Sequence, residues 1–328
     1  MSEKIRVGIA GYGNLGRGTE LAIAKTPDME LVAVFTRRNP ESVSLVNQNV
    51  PVHKLDDIGQ FQDNIDVLVL CGGSKSDLPE QGPALSALFN TVDSFDTHAK
   101  IPEYFEAVNN SAELAGNTSL IAIGWDPGLF SINRLFGEAI LQEGETYTFW
   151  GKGLSQGHSD AIRRLPGVKA GVQYTIPVPE AMDKVRSGSM PVLSTREKHK
   201  RDCYVVLAEG ASASEVEQSI VAMPDYFADY DTTVTFITEE ELKRDHTAMP
   251  HGGFVIRSGK TGAGTNQVME YSLALDSNPE FTSSVLVAYA RAAYKLNQMG
   301  QTGAKTAFDV PPGLLSPKSA AQLRKELL

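Results

Sequence analysis

Apolar and polar positions follow one rhythm in the first third of the chain and another in the rest. Ile5–Ala10 is a short apolar run, and Gly11-Tyr12-Gly13-Asn14-Leu15-Gly16 follows it at once. Residues 19–25 then take helical spacing, and Pro27-Asp28 ends them. Leu31–Phe35 reads as the next strand, so strand, glycine turn, helix and strand fit in one βαβ unit. The alternation continues with a strand at Ile65–Cys71, a helix at Gln81–Phe89, a strand at Thr91–Phe95, a helix at Ile101–Ala115 and a strand at Ser119–Ile123. The continuous apolar run IDVLVLC is what a strand buried on both faces requires. Alternating β and α segments predict a doubly wound parallel sheet.

After about residue 130 the helices become fewer and the loops longer. Thr146–Trp150, Val172–Val178, Cys203–Leu207, Thr232–Ile237, Phe254–Ile256 and Gln267–Leu275 read as strands of a mixed or mostly antiparallel sheet, with helices on one face. Phe281–Met299 is then a strongly periodic helix closed by Gly300. The fold class is therefore α/β: a Rossmann nucleotide domain followed by a second α+β domain.

The glycine turn sits where a dinucleotide site belongs, between a strand and a helix. Gly11 allows the tight turn, Gly13 a close backbone approach to a pyrophosphate, and Gly16 close helix packing, with Tyr12, Asn14 and Leu15 completing the loop. The end of the second strand separates the cofactors. An NAD site places an Asp or Glu there, whereas this chain has Phe35-Thr36-Arg37-Arg38. A hydroxyl and two guanidinium groups suit a 2′-phosphate, so NADP is expected. Other strand ends should line the same crevice: Cys71-Gly72-Gly73-Ser74, Ser94-Phe95-Asp96 and Ile123-Gly124-Trp125-Asp126-Pro127. Cys71 reads as a small buried hydrophobe.

Asp96 and Asp126 place two carboxylates at successive strand ends, where a pair could bind an ammonium group and take its proton. An Asp before Pro-Gly is also an ordinary turn former. Further on, residues 151–160 form a polar, glycine-rich loop whose His158 and Asp160 match neither a metal nor a triad spacing, and no metal site is expected. His199 and Lys200 read as a solvated loop.

Composition narrows the setting. The chain has 328 residues, enough for two domains, and a net charge of −10, which disfavours nucleic acid as a partner. No membrane span or secretory leader is read from it, and only two cysteines are present, so a reducing, cytoplasmic setting is expected.

With these residues in place the chain resembles meso-diaminopimelate dehydrogenases. The matching segments are GYGNLGR (11–17), the Arg pair 37–38, DTH (96–98), GWDPGLFSINR (124–134), TFWGKGLSQGHSDA (148–161), HKRDC (199–203), MPDYF (223–227) and HTAMPHGG (246–253). The resemblance implies NADP-dependent oxidative deamination of the D-centre of meso-2,6-diaminopimelate to L-2-amino-6-oxopimelate, ammonia and NADPH. It implies that Asp96 and Asp126 hold the D-centre. Trp150, Gln156, Gly157, Thr175, Arg201, His251 and Asn278 would line the rest of the pocket, with Arg201, Thr175 and His251 on the distal carboxylate. Asp126 is the favoured proton acceptor, with Asp96 or an intervening water as alternatives. The resemblance further implies a homodimer. It gives a nucleotide domain at 1–122, with 300–328 packed back on it, and a substrate and dimerisation region at 123–299. The apolar face of 281–299 would serve equally as intramolecular core. Two rivals share the glycine turn: another NADP oxidoreductase of amino-acid metabolism, and a non-enzymatic NADP-binding regulator.

Overall fold

The computed structural model describes residues 4–328; the first three residues, part of the charged lead-in and of the expected 1–122 domain, lie outside the described residues. The chain opens with β1 (Ile5–Ala10), α1 (Asn14–Ala24), β2 (Met29–Thr36), β3 (Val52–Lys54), β4 (Val67–Leu70), α2 (Leu78–Ser86), β5 (Thr91–Asp93), α3 (Ile101–Ala115) and β6 (Thr118–Leu120). It continues with α4 (Leu129–Ile140), β7 (Glu143–Trp150), β8 (Gly153–Leu154), α5 (Gln156–Arg163), β9 (Val168–Pro177), α6 (Pro179–Arg186), α7 (Thr195–Lys198), β10 (His199–Leu207), α8 (Ala213–Val221), β11 (Asp231–Phe236) and α9 (Glu239–Asp245). It ends with β12 (His251–Thr261), β13 (Thr265–Leu275), α10 (Asn278–Gln298), β14 (Gly303–Lys305) and α11 (Ala320–Leu327).

Two compact units result. The first comprises the chain up to Ile132 together with Pro279–Leu328. Its seven-stranded sheet is parallel throughout and runs β14-β6-β5-β4-β1-β2-β3. The order of the strands from β3 to β6 is that of dinucleotide-binding folds, with the topological switch between β1 and β4. Strand residues are apolar on both faces because helices cover both: Val7, Ile9, Val67 and Val69 face one core, Leu68, Leu70, Ala33 and Phe35 the other.

The long C-terminal helix belongs to this unit. Leu286, Tyr289, Ala290, Ala293 and Leu296 of α10 are buried in the core of Ile5, Val7 and Ile9. Arg291, 4% exposed, fastens the helix by a two-pronged pair with Asp28 at 2.7 Å. The strand β14 then extends the sheet beside β6. The division therefore falls at 132/133 and 278/279 rather than at 122/123 and 299/300. Helical periodicity shows that a face is apolar but not which core receives it.

The second unit, Asn133–Asn278, holds two separate sheets. One runs β11-β10-β9-β8, with β10 and β11 parallel and the other pairs antiparallel; the other is an antiparallel β13-β12-β7 ribbon. Buried Arg257 donates to the carbonyls of Leu141 and Gln142, which follow α4, so its charge meets the open carbonyl end of that helix.

Candidate active site

In the first unit the turn after β1 leads straight into α1. Gly11 has φ +95°, and a Cβ there would press on the Cys71 carbonyl at 3.2 Å. On Gly16 a Cβ would lie 2.3 Å from the Gly11 oxygen. These two glycines are required by the turn itself. Gly13 is different: a Cβ there would meet no atom within 4 Å, so packing does not demand glycine at this position. An approaching phosphate does. Gly13 is also the N-cap of α1, no side chain caps that helix, and its first turn carries no acid. The positive end of its dipole therefore points into the glycine turn, where an anion is favoured.

At the end of β2, Thr36 accepts the Arg38 amide at 3.1 Å, and Arg38 Nη2 donates to the Tyr12 carbonyl, tying the basic pair to the glycine turn. Arg37 pairs with Asp77 at 2.8 Å, and Asp77 accepts the Gly73 amide at 2.8 Å. The Tyr12 hydroxyl donates to the buried Glu20 carboxylate; burial together with that carboxylate pushes the phenol up to about 12. Cys71 packs against Thr19, and burial pushes its thiol up to about 12, so it stays a protonated, unreactive hydrophobe. These residues fit a phosphorylated dinucleotide: an open glycine, an uncapped helix start, and a hydroxyl with two arginines where an acid would stand for NAD.

The neighbouring strand ends are bound to one another. The Asp96 amide donates to Ser74 Oγ at 2.9 Å, and Ser74 Oγ lies 3.2 Å from Thr97 Oγ1. Asp96 is exposed and Asp126 half-buried. Residues 124–131 fold into a tight turn in which Leu129 N bonds Gly124 O and Phe130 N bonds Trp125 O. Gly128, with φ +124°, is required there because a Cβ would lie 2.0 Å from the Gly124 oxygen. The turn-former reading of Asp126-Pro127-Gly128 and a chemical role for Asp126 are thus compatible in one segment.

In the second unit, register brings most of the remaining candidates together. Thr175 of β9 lies opposite Arg201 of β10 and opposite Gly153 of β8, and Gly253 of β12 lies opposite Trp150 of β7. Gly153 makes room for the His251 ring, whose Cγ a Cβ would approach at 2.5 Å. Gln156 Nε2 reaches Met249 Sδ at 3.5 Å, and the Asn278 amide donates to the Met249 carbonyl at 2.9 Å. Gly157, next in α5, is exposed and open-sided. Arg201 is 6% exposed. Its Nη1 donates to Thr175 Oγ1, its guanidinium lies 3.8 Å from the Tyr230 ring centroid, and Nε has no partner. Among the described residues no carboxylate pairs with it, and burial lowers its affinity for the proton. A buried cation with an unused donor beside a hydroxyl is a place for an anion.

The comparisons with known proteins bear on the whole chain. Residues 124–277 match the family described as diaminopimelic acid dehydrogenase C-terminal domain. The chain is 66% identical to meso-diaminopimelate D-dehydrogenase of Lysinibacillus sphaericus over 324 residues, covering 99% of each. Among solved structures it is similar to the Corynebacterium glutamicum DAP dehydrogenase in complex with DAP, at 47% identity, a TM-score of 0.91 and 99% coverage of both chains. An engineered D-amino acid dehydrogenase bound to NADP+ matches at 46% identity and a TM-score of 0.85, covering 99% of this chain and 100% of that one. The chain belongs to the meso-diaminopimelate dehydrogenase family.

Against that family background, the reading of His199 as a solvated loop residue is corrected. His199 opens β10, is 3% exposed, and its Nε2 accepts the Trp150 amide at 2.8 Å. Its ring stacks on Trp150 with centroids 5.5 Å apart. The charged run His-Lys-Arg-Asp alternates across a strand, so His199 and Arg201 point inward while Lys200 is exposed. Tyr230 and His199 were not legible as site residues, because each is recruited through a contact distant in sequence. His158 and Asp160 do not act together: His158 Nδ1 bonds Ser155 Oγ at 2.8 Å, whereas Asp160 pairs with Arg163.

Burial and the nearby Arg201 hold both histidines neutral, His158 at about 4 and His199 at about 3. Their folded values lie below the unfolded one, so their contribution to stability is present at neutral pH and is lost as pH falls from about 6.5. Each is expected to remove about 2 kcal/mol by pH 5. Chemical denaturation from pH 8 to 5 checks this: His199→Gln should flatten the pH dependence, and an unchanged slope would discharge His199 from it.

Proposed function

We propose that the chain catalyses the NADP-dependent oxidative deamination of the D-centre of meso-2,6-diaminopimelate, giving L-2-amino-6-oxopimelate, ammonia and NADPH. The observation that carries the reading is buried Arg201, unpaired by any carboxylate and bonded to Thr175. A diacid with an amino-acid group at each end satisfies such a site with its distal carboxylate. His251 and Asn278, placed beside the same strand ends, complete the polar lining, with Trp150 supplying an aromatic wall. The relatives support the same chemistry, since one named for DAP and one bound to NADP+ align over nearly all of this chain.

Asp96 and Asp126 are the residues for the reacting end. Their carboxylates receive the D-centre ammonium, and one of them takes the proton that must leave nitrogen before the carbon can lose hydride. NADP, when bound, accepts that hydride. Thr36, Arg37 and Arg38 would hold the 2′-phosphate, and the start of α1 the pyrophosphate. Water adds to the resulting iminium carbon and ammonia departs, so that carbon ends as the ketone carbonyl of the 6-oxo acid, the two electrons of its C–H bond having left as hydride.

The purified chain, mixed with NADP and meso-diaminopimelate, is expected to generate NADPH absorbance at neutral to alkaline pH, with NAD a poor substitute and the LL isomer nearly inert. No turnover would sink the activity; equal rates with NAD would remove the role of Arg37 and Arg38; equal rates on the LL isomer would contradict a D-centre site.

We further propose a cytoplasmic homodimer. No helix among the described residues is long and apolar enough to cross a membrane. Leu135, Phe136 and Ile140 of α4 are large exposed hydrophobics, a surface suited to a second copy. Light scattering should report twice the chain mass, and a monomer at micromolar concentration would overturn the dimer.

A further inference from the structure

Asp93, the last residue of β5, is 1% exposed, and among the described residues no cation pairs with it. Burial pushes its carboxyl up to about 6. An apolar side chain would fill this volume without the desolvation penalty. What the carboxyl provides is a set of acceptors. Its Oδ1 accepts the Phe95 amide at 2.9 Å and the Ala122 amide at 3.2 Å. Its main-chain oxygen accepts the Ile123 amide at 2.8 Å. Its Oδ2 accepts the Tyr104 hydroxyl at 2.7 Å.

These bonds grip two chain segments at once. One is the exit of β5, where Asp96 follows Phe95 directly. The other is the exit of β6, where Ala122 takes a left-handed φ of 55° and Asp126 follows Ile123 by three residues. Tyr104 is itself placed to donate. Its ring stacks on Phe95 with centroids 4.1 Å apart and planes 14° apart. Its hydroxyl fits only because α2 has Gly82 there, on which a Cβ would lie 2.0 Å from that oxygen.

We propose that Asp93 is a positioning residue for the deamination, holding Asp96 and Asp126 at one mutual spacing by bonding the backbone at both strand exits. The inference rests on the reading of Asp96 and Asp126 as the carboxylates that meet the reacting amine. Asp93 touches neither substrate nor cofactor; it acts through the two loops.

The test compares Asp93→Ala, Asp93→Asn and Tyr104→Phe in the full-length protein. Asn keeps one oxygen for both amides and turns its NH2 toward the Tyr104 oxygen; Ala removes every side-chain acceptor and leaves only the main-chain bond to Ile123. Displacement of a catalytic group by about 1 Å costs on the order of a hundredfold, so Asp93→Ala should lower kcat by about thirtyfold or more. NADPH affinity, read by fluorescence titration, should change by less than about threefold, because the glycine turn is bonded elsewhere. Asp93→Asn should recover kcat to within about fivefold of the parent. Wild-type kcat in Asp93→Ala, or equal losses in the Ala and Asn variants, would overturn the proposal. If circular dichroism shows Asp93→Ala unfolded, Tyr104→Phe decides, with an expected kcat loss of about three- to tenfold; unchanged kcat there overturns it. Asp96→Asn and Asp126→Asn run alongside. If both keep full kcat, the reading of the site has failed. If either loses kcat while the Asp93 and Tyr104 variants do not, only the positioning role has failed.

Discussion

Arg201→Met is expected to raise the KM for meso-diaminopimelate by about a hundredfold, corresponding to about 3 kcal/mol, the scale for removing one member of a buried charge pair. The guanidinium is 6% exposed, donates to Thr175 through Nη1, and keeps Nε unused. On the proposed reading a substrate carboxylate takes up those donors; with methionine nothing does, and a desolvated carboxylate is left unpaired. The distal carboxylate takes no part in the bond changes, so the lost interaction is equal in ground and transition states, and kcat should move by less than about threefold. Stability should respond in the opposite sense from a typical core mutation. Arg201 is an uncompensated buried cation before substrate binds, so replacing it with an apolar chain of similar length should leave the melting temperature unchanged or raise it. Steady-state kinetics with a thermal melt checks both halves. An unchanged KM would take Arg201 out of the substrate site, and a lost fold would show that its charge is structural.

The second large effect is on the chemical step. Asp126→Asn should lower kcat by about a hundred- to ten-thousandfold, the range for removal of a general base. Asparagine preserves size and hydrogen bonding but cannot hold the proton that the amine must release. Asp96→Asn should cost less if Asp126 is the acceptor, and more if the roles are reversed. A deuterium at the D-centre carbon makes the reading sharper: once proton removal and hydride loss limit turnover, the isotope effect on kcat should rise in the crippled variant. If both variants stay within about threefold of the parent, neither carboxylate is a base.

Much of this protein is legible in its sequence. The glycine turn, the missing acid and the arginine pair all lie within residues 11–38, and their meaning is local: a tight turn, an open approach and a helix start. The placement of Asp96 and Asp126 past the ends of two strands was legible because alternating strand and helix segments predict a parallel sheet, at whose carboxyl edge such residues fall. His199 was not. Its neighbours Lys200 and Asp202 carry charge, and only pairing with β9 sets which side of that strand faces inward. Tyr230 was equally hidden, since no spacing between residues 201 and 230 announces a ring over a guanidinium. Asp93 reads as one more strand-end acid; its bonds to Ala122 and Ile123 exist only because β5 and β6 are neighbours.

The helix Asn278–Gln298 separates the two kinds of information. Its periodicity and its apolar composition are properties of the chain, and they require that the helix be buried somewhere. The choice of β1's core and the two-pronged hold of Arg291 on Asp28 are made between residues more than two hundred positions apart. So the sequence alone determined which segments become strands and helices, which turn can receive a phosphate, and which strand ends carry acids, because those depend on near neighbours and on period. The tertiary structure decided where the long helix belongs, why Arg201 stands unpaired, and that one buried carboxyl binds both acid-bearing loops. Each of these is a contact between distant segments, made specific by shape and hydrogen-bond geometry that no local pattern encodes.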